Sequence, residues 1–140
     1  MIFHALLALR LILLYYAVIM HRVGVDIIEI ARVAEAVAQY GERFLHRVYT
    51  DAELEYCANR VNQLATRFAA KEAVVKALGP ENSGIGWKDM EVIIDRDGAP
   101  SIKLHGKAIG RFDALGLTDL AVSLSHSKDY AVASVVGGTK

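Results

Sequence analysis

Glu72 and Lys76 stand four residues apart in an Ala-rich segment, residues 63–78, that reads as a helix with no interior glycine. At about 100° per residue, this spacing puts both on one stripe with Phe68, while Arg67 and Lys71 share another stripe roughly 100–140° away. Lys71 is therefore not counted with Glu72 and Lys76, although it adjoins Glu72 in sequence. Nearly all other positions are Ala, Val, Leu or Phe. Such a helix is packed around much of its girth, and the pair lies in a partly buried groove. Its structural reading is an i,i+4 ion pair worth about 0.3–0.5 kcal/mol; its chemical reading needs another group. Asp26 supplies one. It lies in the β-branched run VGVDIIEI, residues 23–30, which reads as a buried strand. An acid there must pair with an Arg, cap the following helix, face water at a strand end or bind a metal. Asp26 with Glu72 could make a two-carboxylate Mg²⁺ site that shares its ion with substrate phosphates, and Lys76, one turn from Glu72, would meet the same phosphates. Glu29, three residues beyond Asp26, faces the opposite side of the strand.

A second cluster is S-L-S-H-S, residues 123–127. Neighbours in a strand point to opposite faces, so Ser125 and His126 do not form a nucleophile–base pair. His126 shares a face with Val122 and Leu124, where a core histidine is one reading. Its place at the strand end, beside a turn, leaves phosphate binding as the other. The D-R-D-G turn, residues 95–98, lacks the further ligands of a calcium loop and reads as a hairpin.

These groups need a scaffold, and 140 residues make one domain. A composition that is 54% apolar and 23% charged excludes global disorder. Basic and acidic residues number 16 each, which argues against a nucleic-acid coat or a polybasic membrane binder. The single cysteine, Cys57, rules out an intrachain disulfide framework and a thiolate zinc cluster, and fits a reducing compartment. Helices are expected over 31–40, stopped by Gly41; over 43–49; over 50–59, behind a capping box of Thr50 and Glu53; and over 63–78, stopped by Gly79 and Pro80. A loop through 81–89 follows. Segments 90–95 with 101–105, and 120–126 with 130–136, read as hairpins, with a helix over 106–115 between them.

Residues 1–20 carry one fixed charge, Arg10, and their longest apolar run, 11–20, is ten residues. A spanning helix needs about 20. With no basic residue before Arg10 and no A-x-A after Met20, a cleaved signal is poorly formed. The expected division is an apolar extension over 1–19 and a domain over 20–140. The extension is best accounted for as an upstream reading-frame extension that is not translated; an interface-covering helix and a weak membrane anchor are the alternatives.

Three segments, G-V-D-I-I-E-I at 24–30, R-F-A-A-K-E-A-V-V-K-A-L-G at 67–79 and V-S-L-S-H-S-K-D-Y-A-V-A at 122–133, resemble the holo-acyl-carrier-protein synthases in order, spacing and total length. These are the small, single-domain 4′-phosphopantetheinyl transferases. The F-x-x-K-E-A-x-x-K-A element with an upstream G-x-D carries the specificity. The resemblance implies an α/β (α+β) fold in which a mainly antiparallel sheet wraps a long central helix. It also implies a cytoplasmic homotrimer with active sites at subunit interfaces. The implied reaction moves the phosphopantetheine arm of coenzyme A to a serine of apo acyl carrier protein, of fatty-acid or polyketide type, with Mg²⁺ or Mn²⁺ as the metal. On this resemblance Asp26 and Glu72 hold the metal, Lys76 contacts phosphate, and His126 and Arg67 contact coenzyme A; the base is Glu72 or a metal-bound water. The helix after Asp26 is usually basic in the family and docks on the carrier. Here it keeps Arg32 and Arg43, but Glu35, Gln39 and Glu42 dilute the charge and weaken steering. Two rival readings are a non-catalytic docking module of the same fold, against which intact Asp26, Glu72 and Lys76 speak, and a membrane-tethered protein.

Overall fold

The computed structural model describes residues 1–18, 20–79 and 84–139. The chain runs α1 (Ile2–Val18), β1 (His21–Glu29), α2 (Ile30–Tyr40), α3 (Glu42–Val48), α4 (Asp51–Cys57), α5 (Val61–Leu78), a 3-10 turn at Trp87–Asp89, β2 (Met90–Ile94), β3 (Pro100–Leu104), α6 (Gly106–Ala114), β4 (Asp119–His126) and β5 (Tyr130–Gly138). The elements expected from the sequence are present within a residue or two. The helix expected over 50–59 stops at Cys57, because Ala58 and Asn59 turn into the left-handed region at φ 46° and 61°. Its capping box is formed as read, between Thr50 and Glu53. Gly79 ends α5 at φ 84°; Pro80 and the first part of the expected loop, 81–83, lie outside the described residues.

Strands β1, β5 and β4 form one antiparallel sheet in that order, and β2 with β3 a second, two-stranded one. Asp26 pairs with Ala133 and Ala133 with Leu124; one step on, Ile28 pairs with Ala131 and Ala131 with His126. Directly opposed residues share a face, so Asp26 and His126 look to the same side of the sheet, from its two outer strands. Helix α5 covers that side. A Cβ on Gly24 would lie 1.8 Å from the Ala73 carbonyl oxygen and 2.9 Å from the Ala77 nitrogen, so only glycine lets the two backbones approach this closely. The alanines of α5 serve the same approach: Ala69, Ala70, Ala73 and Ala77 are buried in one core with Ala133 and Val135. At the helix end, Arg22 Nε donates to the Ala77 carbonyl at 2.6 Å and Arg111 Nε to that of Leu78 at 3.0 Å, placing cations at the negative end of the helix dipole. A second core joins Val33, Leu45, Val48, Tyr49 and Cys57 to Leu64 at the start of α5.

The other face of β1 is bare. Val23, Val25 and Ile27 are 62%, 56% and 63% exposed, so the strand read as buried is covered on one side only within a single chain. The large apolar side chains of α1 from Ile2 to Leu14 are likewise exposed. Among the described residues no helix is long and apolar enough to cross a membrane.

Candidate active site

The close approach of β1 and α5 at Gly24 sets up the chemistry two residues later. Asp26 points at α5, where Lys76 Nζ donates to its Oδ1 at 3.1 Å and to the Val25 carbonyl at 2.9 Å. The pairing corrects two structural readings at once: Asp26 neither pairs with an arginine nor caps α2, and Lys76 pairs across to the strand instead of back to Glu72. Asp26 is 16% exposed and Lys76 53%. Glu72, one turn before Lys76, shares a cleft of about 390 Å³ with Asp26, Ile28, Arg32, Phe44 and Phe68. Burial, and then the negative charge of Asp26, hold the Glu72 carboxyl above its usual range, with Lys76 pulling it back. Two carboxylates thus crowd one cleft with a single ammonium beside them. Both are the hard oxygen donors that Mg²⁺ takes, and a bound cation would relieve the repulsion between them. Among the described residues no group of three His, Cys, Asp or Glu side chains could hold a metal.

Lys71 lies off this stripe, as its spacing required. It is fully buried, and Nζ donates to Glu53 Oε1 at 2.7 Å and to the carbonyls of Trp87 and Met90. Burial pushes its pKa down while the Glu53 charge pushes it up. Glu53 also accepts from the Thr50 and Val92 amides, so one carboxylate closes the α4 cap and neutralises a lysine of α5.

Arg67 and His126 belong to a different cleft, of about 210 Å³, which they line with Tyr56, Gln63, Thr66 and Ser125. Arg67 and Glu72 are five residues apart on α5, which separates them by about 7.5 Å along the axis and 140° around it. The candidate residues therefore lie in two separate clefts of one chain. His126 is exposed at the end of β4, so the core-histidine reading does not hold. Arg67 is buried, with Nη1 donating to Gln63 Oε1 at 2.7 Å. Neither Gln63 nor Tyr56 was singled out from the sequence, although the i,i+4 spacing of Gln63 and Arg67 was a usable signal. Arg32 lines the carboxylate cleft. Arg43 lines an adjoining one of about 460 Å³ with Tyr40, Phe44, Arg47, Phe68 and Trp87. Phe44 and Phe68 form the shared wall, and Trp87 stacks on Phe68 at 5.0 Å between ring centres.

An antiparallel sheet laid on one helix, with a paired-carboxylate and lysine cleft beside an arginine–histidine cleft, describes a family as well as a chain. A sequence profile of the 4′-phosphopantetheinyl transferase superfamily matches residues 22–135, and the chain belongs to that superfamily. Within it, the chain is similar to the holo-acyl-carrier-protein synthase of Dehalococcoides mccartyi, 48% identical over 114 residues that make up 81% of this chain and 94% of the relative. The holo-acyl-carrier-protein synthase of Gloeobacter violaceus is 45% identical over 120 residues, 83% of this chain and 91% of that one. The crystal structure of Helicobacter pylori holo-acyl-carrier-protein synthase in complex with coenzyme A superposes with a TM-score of 0.73 at 31% identity, covering 82% of this chain and 98% of that chain.

Proposed function

We propose that this chain transfers the 4′-phosphopantetheine arm of coenzyme A to a serine of an apo acyl carrier protein, as a cytoplasmic enzyme whose catalytic domain occupies 20–140 and leaves 1–19 outside it. The observation that carries the reading is the pair of carboxylates, Asp26 and Glu72, on one cleft, with Lys76 bonded to Asp26. Asp26 and Glu72 would hold Mg²⁺, or Mn²⁺ in its place. When bound, the ion draws charge from the diphosphate and makes its phosphorus more electrophilic. Lys76, partly exposed beside the carboxylates, stabilises negative charge that grows on the phosphate oxygens. Glu72 accepts the serine proton directly or through a water that it orients. The serine oxygen forms a bond to the phosphorus of the arm, the bridging P–O bond breaks, and adenosine 3′,5′-bisphosphate leaves.

Arg67 and His126 contact coenzyme A in this reading, and Arg32 and Arg43 dock the carrier protein. Both arginines border clefts that meet at Phe44 and Phe68, so a carrier held there would present its serine next to Glu72. In a homotrimer each active site would join the carboxylate cleft of one copy to the arginine–histidine cleft of its neighbour. The bare face of Val23, Val25 and Ile27 supports that assembly. Mixing the protein with coenzyme A, Mg²⁺ and an apo carrier tests the activity. The expected result is a gain in carrier mass of one phosphopantetheine arm; an unchanged carrier mass would overturn the reading.

A further inference from the structure

Arg67 is a cation buried without an anion. It is 2% exposed, no carboxylate pairs with it among the described residues, and its Nε has no hydrogen-bond partner there. Such a charge is costly to keep unless its surroundings compensate for lost hydration. Three neighbours do so in part. Gln63 Oε1 and Thr66 Oγ1 accept from Nη1 at 2.7 and 3.2 Å and fix the rotation of the guanidinium. The ring of Tyr56, on α4, lies 4.4 Å from the guanidinium carbon, with its electron-rich face toward the charge. Tyr56 also borders the cleft that holds His126 and is itself 44% exposed. The ring is braced on α4 as well: the guanidinium of Arg60 stands 5.5 Å from it and is tied to the Tyr56 and Cys57 carbonyls at 2.7 and 3.0 Å.

We propose that Tyr56 is a positioning residue for coenzyme A binding, its ring holding the Arg67 guanidinium dehydrated and in place where it lines the cleft shared with His126. The proposal rests on the reading that Arg67 contacts coenzyme A. An arginine already held in its binding rotamer has little side-chain entropy left to lose when the anion arrives. Without the ring, the guanidinium gains by swinging toward water, and the anion must first draw it back. The residue acts on affinity and leaves the Asp26–Glu72–Lys76 chemistry untouched.

The test measures coenzyme A affinity by calorimetry without carrier protein, and kcat and KM with it. Tyr56→Leu is expected to weaken coenzyme A binding and raise its KM by about 3- to 30-fold, the range from an exposed to a desolvated cation–π contact, with kcat within about twofold of the parent. Tyr56→Phe, which keeps the ring, is expected to bind as the parent does. In an Arg67→Ala background Tyr56→Leu is expected to add no further loss. Tyr56→Gln replaces the leucine variant if that one does not fold. Parent-like affinity in the ring-less variant, an equal loss in Tyr56→Phe, or the same cost with and without Arg67 would each overturn the proposal. Full coenzyme A affinity in Arg67→Ala alone would instead overturn the assignment of Arg67 to the ligand, and the proposal with it. A weakened Arg67→Ala beside an unaffected Tyr56→Leu would remove Tyr56 only.

Discussion

Lys71 and Lys76 lie five residues apart on α5, one sealed in the core and the other half in solvent. Replacing Lys76 by Ala removes a charge partner of the phosphates. The transfer rate should fall by about 10²–10³-fold, while the urea midpoint stays near that of the parent. Replacing Lys71 by Met strands the buried Glu53 carboxylate and should cost about 3–5 kcal/mol, read as a lower urea midpoint, with transfer per folded molecule retained. Matching rate losses at both positions, with stability unchanged, would show that the two roles are misassigned. Glu72 invites a third substitution. Its carboxyl is held above the usual range by burial and by Asp26, so the metal-free fold carries a repulsion that serves function alone. Glu72→Gln should therefore raise Tm in EDTA while abolishing transfer; a variant no more stable than the parent in EDTA would contradict the crowding. Helical spacing made the separation of Lys71 from Glu72 legible in the sequence. The partner of Lys71 was not legible, because Glu53 lies 18 residues earlier and its capping role already accounted for it. Tyr56 was hidden for the same reason: a contact between α4 and α5 has no periodicity.

Elements were easier to read than their faces. Long segments with a clear period or a turn signal, such as α5 and the two hairpins, were found nearly in register. The role of Gly24 was not, since a strand glycine marks some close backbone approach without naming the partner. The structure names it as Ala73 of α5. Gly24→Ala must push β1 and α5 apart, and should cost about 3 kcal/mol in urea unfolding as an overpacked core does. It should also slow transfer, because Asp26 moves with the strand. A folded, fully active variant would show that the interface relaxes. The hairpin adds a pH-dependent tie. Thr50 Oγ1 donates to Glu91 Oε2 at 2.6 Å, and His105 Nε2 stands 3.2 Å from Oε1. The Thr50 bond, aided by His105 and opposed by partial burial, holds the Glu91 carboxyl below its usual range. A carboxyl that is more acidic when folded stabilises the chain fully above its ordinary pKa of about 4.3, and that contribution fades as pH falls through the lower folded value. In a Tm series from about pH 7 to pH 3, the parent should lose more stability at the acid end than Glu91→Gln; parallel curves would remove the tie.

At the scale of the molecule, a chain with no net charge and a bare row of Val23, Val25 and Ile27 has an apolar surface better suited to another protein surface than to water. This was half legible. The β-branched run reads as something to be buried, and within one chain only one of its faces is, because alternation alone does not say whether its own chain or a neighbour covers the other. The two clefts, about 140° apart around α5, raise the same question at the level of chemistry, because in the proposed function one coenzyme A reaches both. A closed ring of copies answers it if each site takes its carboxylates from one copy and its arginine and histidine from the next. Complementation then gives a sharp expectation. Asp26→Ala destroys the first half of every site and leaves the second intact; the double variant Arg67→Ala, His126→Ala does the reverse. Each preparation alone should be nearly inactive. After equal amounts are unfolded, mixed and refolded together, an interface joins one good half to the other by chance in about one case in four, so about a quarter of the parent activity should return. Sites contained within single chains would gain nothing from mixing, because every chain would still carry one broken half. Inactivity of the refolded mixture, with assembly verified by light scattering, would therefore place all of the chemistry within one copy.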